Sequence, residues 1–145
     1  HGLVARRMTQ LIAEQLEDSR WLVLNDRGVE TETTIRYPDI VVEPADEPRK
    51  SLSTLRPALI VEVLSPSTSS NDLDVKPEEY MSLASLDAYI VASQDEPALL
   101  VWTREADGCF PVEAREVRGQ DAVLSVAGRS FALILPLATV YREMS

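Results

Sequence analysis

Apolar residues recur every three or four positions at the start of the chain. Leu3, Val4, Met8, Leu11, Ile12 and Leu16 fall on one side of a helix and charged residues on the other, which predicts an amphipathic helix over 3–18. The period then changes. WLVLN (21–25) predicts a strand, followed by a turn at Asp26–Gly28. VETETTIRYPDIVVEP predicts two extended pieces, the second at Asp39–Glu43. EPADEPRKSLSTLRP (43–57) is polar and punctuated by proline, so it reads as a long loop, and long loops in compact domains are more often functional than idle. LIVEVLS (59–65) is a core strand. A turn rich in Ser and Asn follows, then a helix, PEEYMSLASL, with Pro77 suited to its first position and Glu78 and Glu79 to the positive end of its dipole. DAYIVAS (87–93) predicts another buried strand, and 98–117 a hairpin turning at Asp107–Gly108. AVLSV and FALIL are short strands before a polar helical turn. This order predicts one domain over 1–145, a mixed sheet with helices packed on it.

One feature breaks the pattern. Glu62 stands in the middle of the apolar run PALIVEVL, and an isolated carboxylate in an apolar interior is costly unless paired, neutralised or bound to a metal. A second acid, Asp39, opens the apolar stretch DIVV. If the two strands are neighbours, their carboxylates can converge on one hard cation such as Mg²⁺, which takes one or two carboxylates plus waters and substrate oxygens. A metal there lowers the pKa of bound water and stabilises charge on a transferring phosphoryl group. Lys76, one of only two lysines among fourteen cationic residues, could place a compact ammonium beside a phosphate oxygen. Blander assignments stand beside these. Glu62 could sit on an exposed edge or pair with Arg36 or Arg56, Asp39 could be a turn residue, and Lys76 a solvated side chain near a helix start.

These residues together resemble a known superfamily. Pro38–Asp39, then Glu62 on the next core strand, then a lysine, is similar to the PD-(D/E)xK nuclease pattern. More narrowly, EVLSPSTSSND (62–72), followed by Lys76, Tyr80 and the strand DAYIVAS, resembles the Uma-type family of bacterial restriction endonucleases. The resemblance spans nearly the whole chain, including the leading helix that opens at His1. It implies an α/β fold of the restriction-endonuclease-like type, with a mixed central sheet flanked by helices and an added β-hairpin. It also implies Mg²⁺-dependent endonuclease chemistry on nucleic acid, with DNA the expected polymer. Asp39, Glu62 and the backbone carbonyl of Val63 would hold the metal, with Mn²⁺ able to substitute. Lys76 would stabilise the scissile phosphate or position water, and Asp72, Tyr80 and His1 would support the site. There is one departure. The superfamily's usual lysine lies two residues after the Glu, where this chain has Leu64; in the resembling family it lies on the following helix, at the place of Lys76. Pro77 pushes that lysine away from helical geometry.

Composition changes the picture in three ways. A net charge of −10 excludes coating of nucleic acid by bulk electrostatics. Residues 1–60 nevertheless hold eight Arg/Lys against ten Asp/Glu, while 61–145 hold six against fourteen, so a polyanion is expected to approach from the N-terminal half. A single cysteine, Cys109, excludes an internal disulfide and favours a reducing, cytoplasmic location; no apolar run suits a membrane span. The chain opens at His1 rather than Met, and upstream residues of the family are expected to be missing. Trp21 and Trp102 read as core or interface anchors, and Tyr80 as core packing with its hydroxyl at the rim. The competing class is a catalytically inactive module of nuclease fold that binds nucleic acid or protein. Hydrolysis of another phosphate ester would use the same residues. A symmetric homodimer is expected because duplex cutting often needs two sites.

Overall fold

The computed structural model describes residues 2–45, 53–54, 56–64 and 78–142. The chain opens with helix α1 (Gly2–Gln15), whose apolar residues Val4, Met8 and Ile12 are fully buried as the periodicity requires. Eleven strands follow among the described residues: β1 (Trp21–Leu24), β2 (Gly28–Glu30), β3 (Ile35–Arg36), β4 (Ile40–Pro44), β5 (Ser53–Thr54), β6 (Leu59–Leu64), β7 (Ala88–Ser93), β8 (Ala98–Thr103), β9 (Arg115–Arg118), β10 (Val123–Ala127) and β11 (Ala132–Pro136). Residues 78–81 are helical, and Leu137–Val140 form a last helical turn. Among the described residues, no helix is long and apolar enough to cross a membrane.

Six strands form the central sheet in the order β1-β4-β6-β7-β8-β9. Only β6 and β7 pair in parallel; every other neighbour in this sheet is antiparallel. A parallel pair needs a crossover rather than a tight turn, and the helical residues 78–81 lie within that connection. The sheet is therefore mixed and flanked by helices, as expected.

Both faces are covered, which explains the near-continuous apolar runs of β4, β6 and β7. Alternation assigns the residues. Ile40, Val42, Leu59, Val61, Val63, Ile90 and Val101 meet α1, the β10–β11 hairpin and Leu137–Val140 on one face. Val41, Ile60, Tyr89, Val91 and Trp102 meet Val29 of β2, Tyr80 and Leu86 on the other. Glu62 shares the register of Ile60 and so belongs to this second face.

Three details differ from the sequence expectation. The first extended piece is two short strands, β2 and β3, paired antiparallel, and β5 joins them in parallel to make a small separate sheet. Part of the segment read as irregular loop is thus a strand; its residues 46–52 and 55 lie outside the described residues. The β8–β9 hairpin forms with a long connection, in which Gly108 adopts φ +88°, a left-handed conformation open to glycine at little steric cost. β10 and β11 pair only with each other. Beside them, the Gln15 side chain bonds both the N–H and the C=O of Ile134, at 2.8 Å each, and so satisfies backbone groups along β11.

Candidate active site

Asp39 lies immediately before β4, after Pro38, and its carboxylate does the work of a missing ladder partner. The pairing of β4 with β6 ends at Ile40↔Val61. One step further, the Val63 N–H donates to Asp39 Oδ2 at 2.8 Å instead of to a backbone carbonyl. Extending the same register sets Asp39 across from Glu62. Within a strand the N–H and C=O of one residue face the same neighbour, so the Val63 carbonyl points toward the Asp39 side of β6. The main chain at Asp39 is held separately: Asn25 Nδ2 donates to its carbonyl oxygen at 3.0 Å and to Thr9 Oγ1 of α1 at 3.1 Å.

Glu62 is 3% exposed, and among the described residues two phenols bond it. The Tyr80 hydroxyl donates to Oε1 at 3.0 Å and the Tyr89 hydroxyl to Oε2 at 3.2 Å. The rings pack in file: the Tyr80 and Tyr89 centroids lie 5.3 Å apart, and Trp102 stacks on Tyr89 at 5.5 Å. Burial, followed by the charge of Glu62, pushes the Tyr80 hydroxyl well above the usual phenol range, so it remains a proton donor at all physiological pH. The expectation that its hydroxyl sits at the rim is corrected. Tyr80 is fully buried because the acid it serves is buried.

Arg36, a possible partner of Glu62 from the sequence, is committed elsewhere. Its Nε and Nη2 donate to Glu79 Oε2 and Oε1 at 2.9 and 3.0 Å, a two-pronged pair that fastens the helical residues next to Tyr80 onto β3. The Glu79 partner raises the Arg36 pKa above its ordinary value. Arg56 is exposed at the start of the β6 segment.

Of the sequence candidates, the structure brings Asp39, Glu62, Val63 and Tyr80 together. Lys76, Asp72 and His1 lie outside the described residues. Tyr89 and Asn25 were not singled out in the sequence. Period-two alternation places Tyr89 on one face of its strand, but only the β6–β7 register, Ile60↔Tyr89, puts that face under Glu62. Among the described residues, no group of three or more His, Cys, Asp or Glu could hold a metal ion. The oxygen donors of Asp39, Glu62 and the Val63 carbonyl are of the chemical kind a hard dication takes, which is completed by water.

Replacing Tyr80 by Phe removes one donor from a buried carboxylate without changing the ring. Urea unfolding is expected to show a loss of about 1–3 kcal/mol, with an unchanged far-ultraviolet spectrum.

Comparison with known families adds a decisive observation. A family model described as "Uma2: Putative restriction endonuclease" matches residues 1–137. The chain belongs to the Uma2 family. The Uma2 fold is also seen in a solved relative, the crystal structure of a protein described as "a putative nuclease belonging to DUF820" from Anabaena variabilis ATCC 29413. It is 16% identical to this chain and superposes with a TM-score of 0.77 over 97% of this chain and 79% of that one. That likeness establishes the restriction-endonuclease-like architecture. No curated protein matches. Within this Uma2 chain, Asp39 and Glu62 fall on the matched segment, as do all the residues packed around them.

Proposed function

We propose that this protein is a divalent-metal-dependent nuclease that hydrolyses phosphodiester bonds of nucleic acid, with DNA the expected substrate. The observation that carries the reading is the junction at β6: the Asp39 carboxylate bonded to the Val63 N–H, beside a buried Glu62 held by two phenols. Membership of the Uma2 family supports the reaction class.

In this reading Asp39, Glu62 and the Val63 carbonyl hold Mg²⁺, or Mn²⁺ in its place. The ion supplies Lewis-acid stabilisation of phosphoryl charge and acidifies water. The chain's own residues do the rest. Tyr80 and Tyr89 fix the direction of the Glu62 carboxylate, and Asn25 fixes the backbone that carries Asp39. Lys76 is proposed to neutralise a phosphate oxygen or orient the attacking water, with Asp72 and His1 supporting it. A homodimer would supply the two sites that cutting both strands requires.

The competing reading, a nuclease-fold binding module without catalysis, draws on Leu64 at the position where the wider superfamily carries its lysine. Calorimetric titration with Mn²⁺ separates the two. The parent chain is expected to bind Mn²⁺ and to cleave DNA in its presence, and Asp39→Asn to weaken binding at least about 10-fold. Binding that is absent, or unchanged in Asp39→Asn, would remove the metal from this site.

A further inference from the structure

Asp39 also lines an open groove of about 510 Å³, within the size range of ligand clefts. One wall is α1, with Arg6, Thr9 and Gln10; the other is formed by Asn25 and Asp26 of the turn after β1 together with Asp39 just before β4. We propose that this groove carries the nucleic-acid strand past Asp39 and that Arg6 contacts a phosphate neighbouring the cleaved one. The inference rests on the nuclease reading above and adds the substrate path to it.

The first argument is the state of Arg6. It is exposed and makes no hydrogen bond or ion pair among the described residues, whereas Arg27, Arg36, Arg118 and Arg129 each meet a carboxylate. Arg7, its neighbour in sequence, is buried and donates to the carbonyls of Val140 and Arg142. One of two adjacent arginines thus holds the fold together. The other presents a planar five-donor cation to the groove that contains Asp39, a form suited to phosphate oxygens.

The second argument is dimension and rigidity. The lining residues of α1 run from Gly2 to Ala13, about 16 Å of helix axis at ~1.5 Å per residue. That length accommodates roughly five stacked nucleotide steps of ~3.4 Å. The walls are tied together by Asn25, which bonds Thr9 on one side and the Asp39 carbonyl on the other. The helix that carries Arg6 and the backbone that carries Asp39 are therefore tied to each other. Asp26 opposes Arg6 in charge across the groove, and its φ of +58° is one that asparagine adopts equally well.

Fluorescence anisotropy with a labelled 12-nucleotide DNA, single-stranded and duplex, tests the proposal in a cleavage-blocked Glu62→Gln chain. Arg6→Ala is expected to weaken binding about 5–10-fold at low salt and to lower the slope of log affinity against log salt by about 0.7 for the single strand. Arg6→Lys is expected to restore the slope. Asp26→Asn, which removes a negative charge from the opposite wall, is expected to strengthen binding about 2-fold. A merely structural role for either residue would not produce opposite signs. Unchanged affinity and slope in Arg6→Ala, or a loss in both variants, would overturn the groove assignment. Mn²⁺ titration of the parent and of Arg6→Ala is expected to give equal affinities. If neither binds Mn²⁺, the metal reading fails on its own, while anisotropy still decides the groove.

Discussion

Replacing Glu62 by Gln is expected to reduce divalent-dependent DNA cleavage at least about 100-fold, the upper end of what loss of a mere supporting residue costs a metal site. Gln is the informative substitution because of the two phenols. Its amide oxygen still accepts from one tyrosine and its amide nitrogen donates to the other hydroxyl oxygen, so the pocket keeps its shape and its hydrogen bonds while losing its charge. Glu62→Ala is expected to abolish cleavage as well, but at a further cost. On the sequence alone, an uncompensated buried acid could be removed with a gain in stability. The structure corrects that expectation: Tyr80 and Tyr89 compensate Glu62, and truncation to Ala would leave their hydroxyls buried without that partner. Each such orphaned group costs about 1–3 kcal/mol. Cleavage assays paired with urea unfolding of the two variants check both statements. Parental cleavage by Glu62→Gln would end the nuclease assignment at this site.

Replacing Arg27 by Met is expected to cost about 3–5 kcal/mol of stability in urea unfolding, the largest effect in the chain outside the core. Arg27 Nε and Glu43 Oε1 lie 2.8 Å apart, with the two side chains only 10% and 1% exposed. That close contact is one of charge rather than an aligned hydrogen bond, while Nη2 donates to Oε2 at 3.5 Å. It ties the turn before β2 to β4, four residues beyond Asp39. Removing the cation takes away the opposite charge that a carboxylate buried to 1% exposure faces. The double replacement Arg27→Met with Glu43→Leu is expected to recover most of the loss, because neither charge then remains unpaired. A single variant as stable as the parent would show that the pair does not support the fold.

Much of the architecture was legible one element at a time. The helix at the N-terminus was visible because six apolar residues repeat at its period, and β6 because an unbroken apolar run is what a strand buried on both faces needs. The small sheet was not legible. Its β5 has two residues, inside a polar stretch, and pairs with β2 in parallel across more than twenty positions, so no local pattern announces it. The acids were legible as candidates because charge is so rarely placed among Val, Ile and Leu. Their partners were not. Arg36 was a reasonable companion for Glu62, yet it lies on a strand whose pairing turns it to Glu79.

The sequence by itself determined the helix and the strands of the central sheet, the family to which the chain belongs and the two acids worth testing, because periodicity and spacing are properties of one dimension. The tertiary structure alone decided what those acids touch. Tyr80 and Tyr89 stand 18 and 27 residues from Glu62, and Asp39 stands 24 from the N–H it accepts. Contacts at such separations follow from strand register, and register is fixed by how whole faces pack, since a slip of one residue would turn every buried side chain to the opposite face.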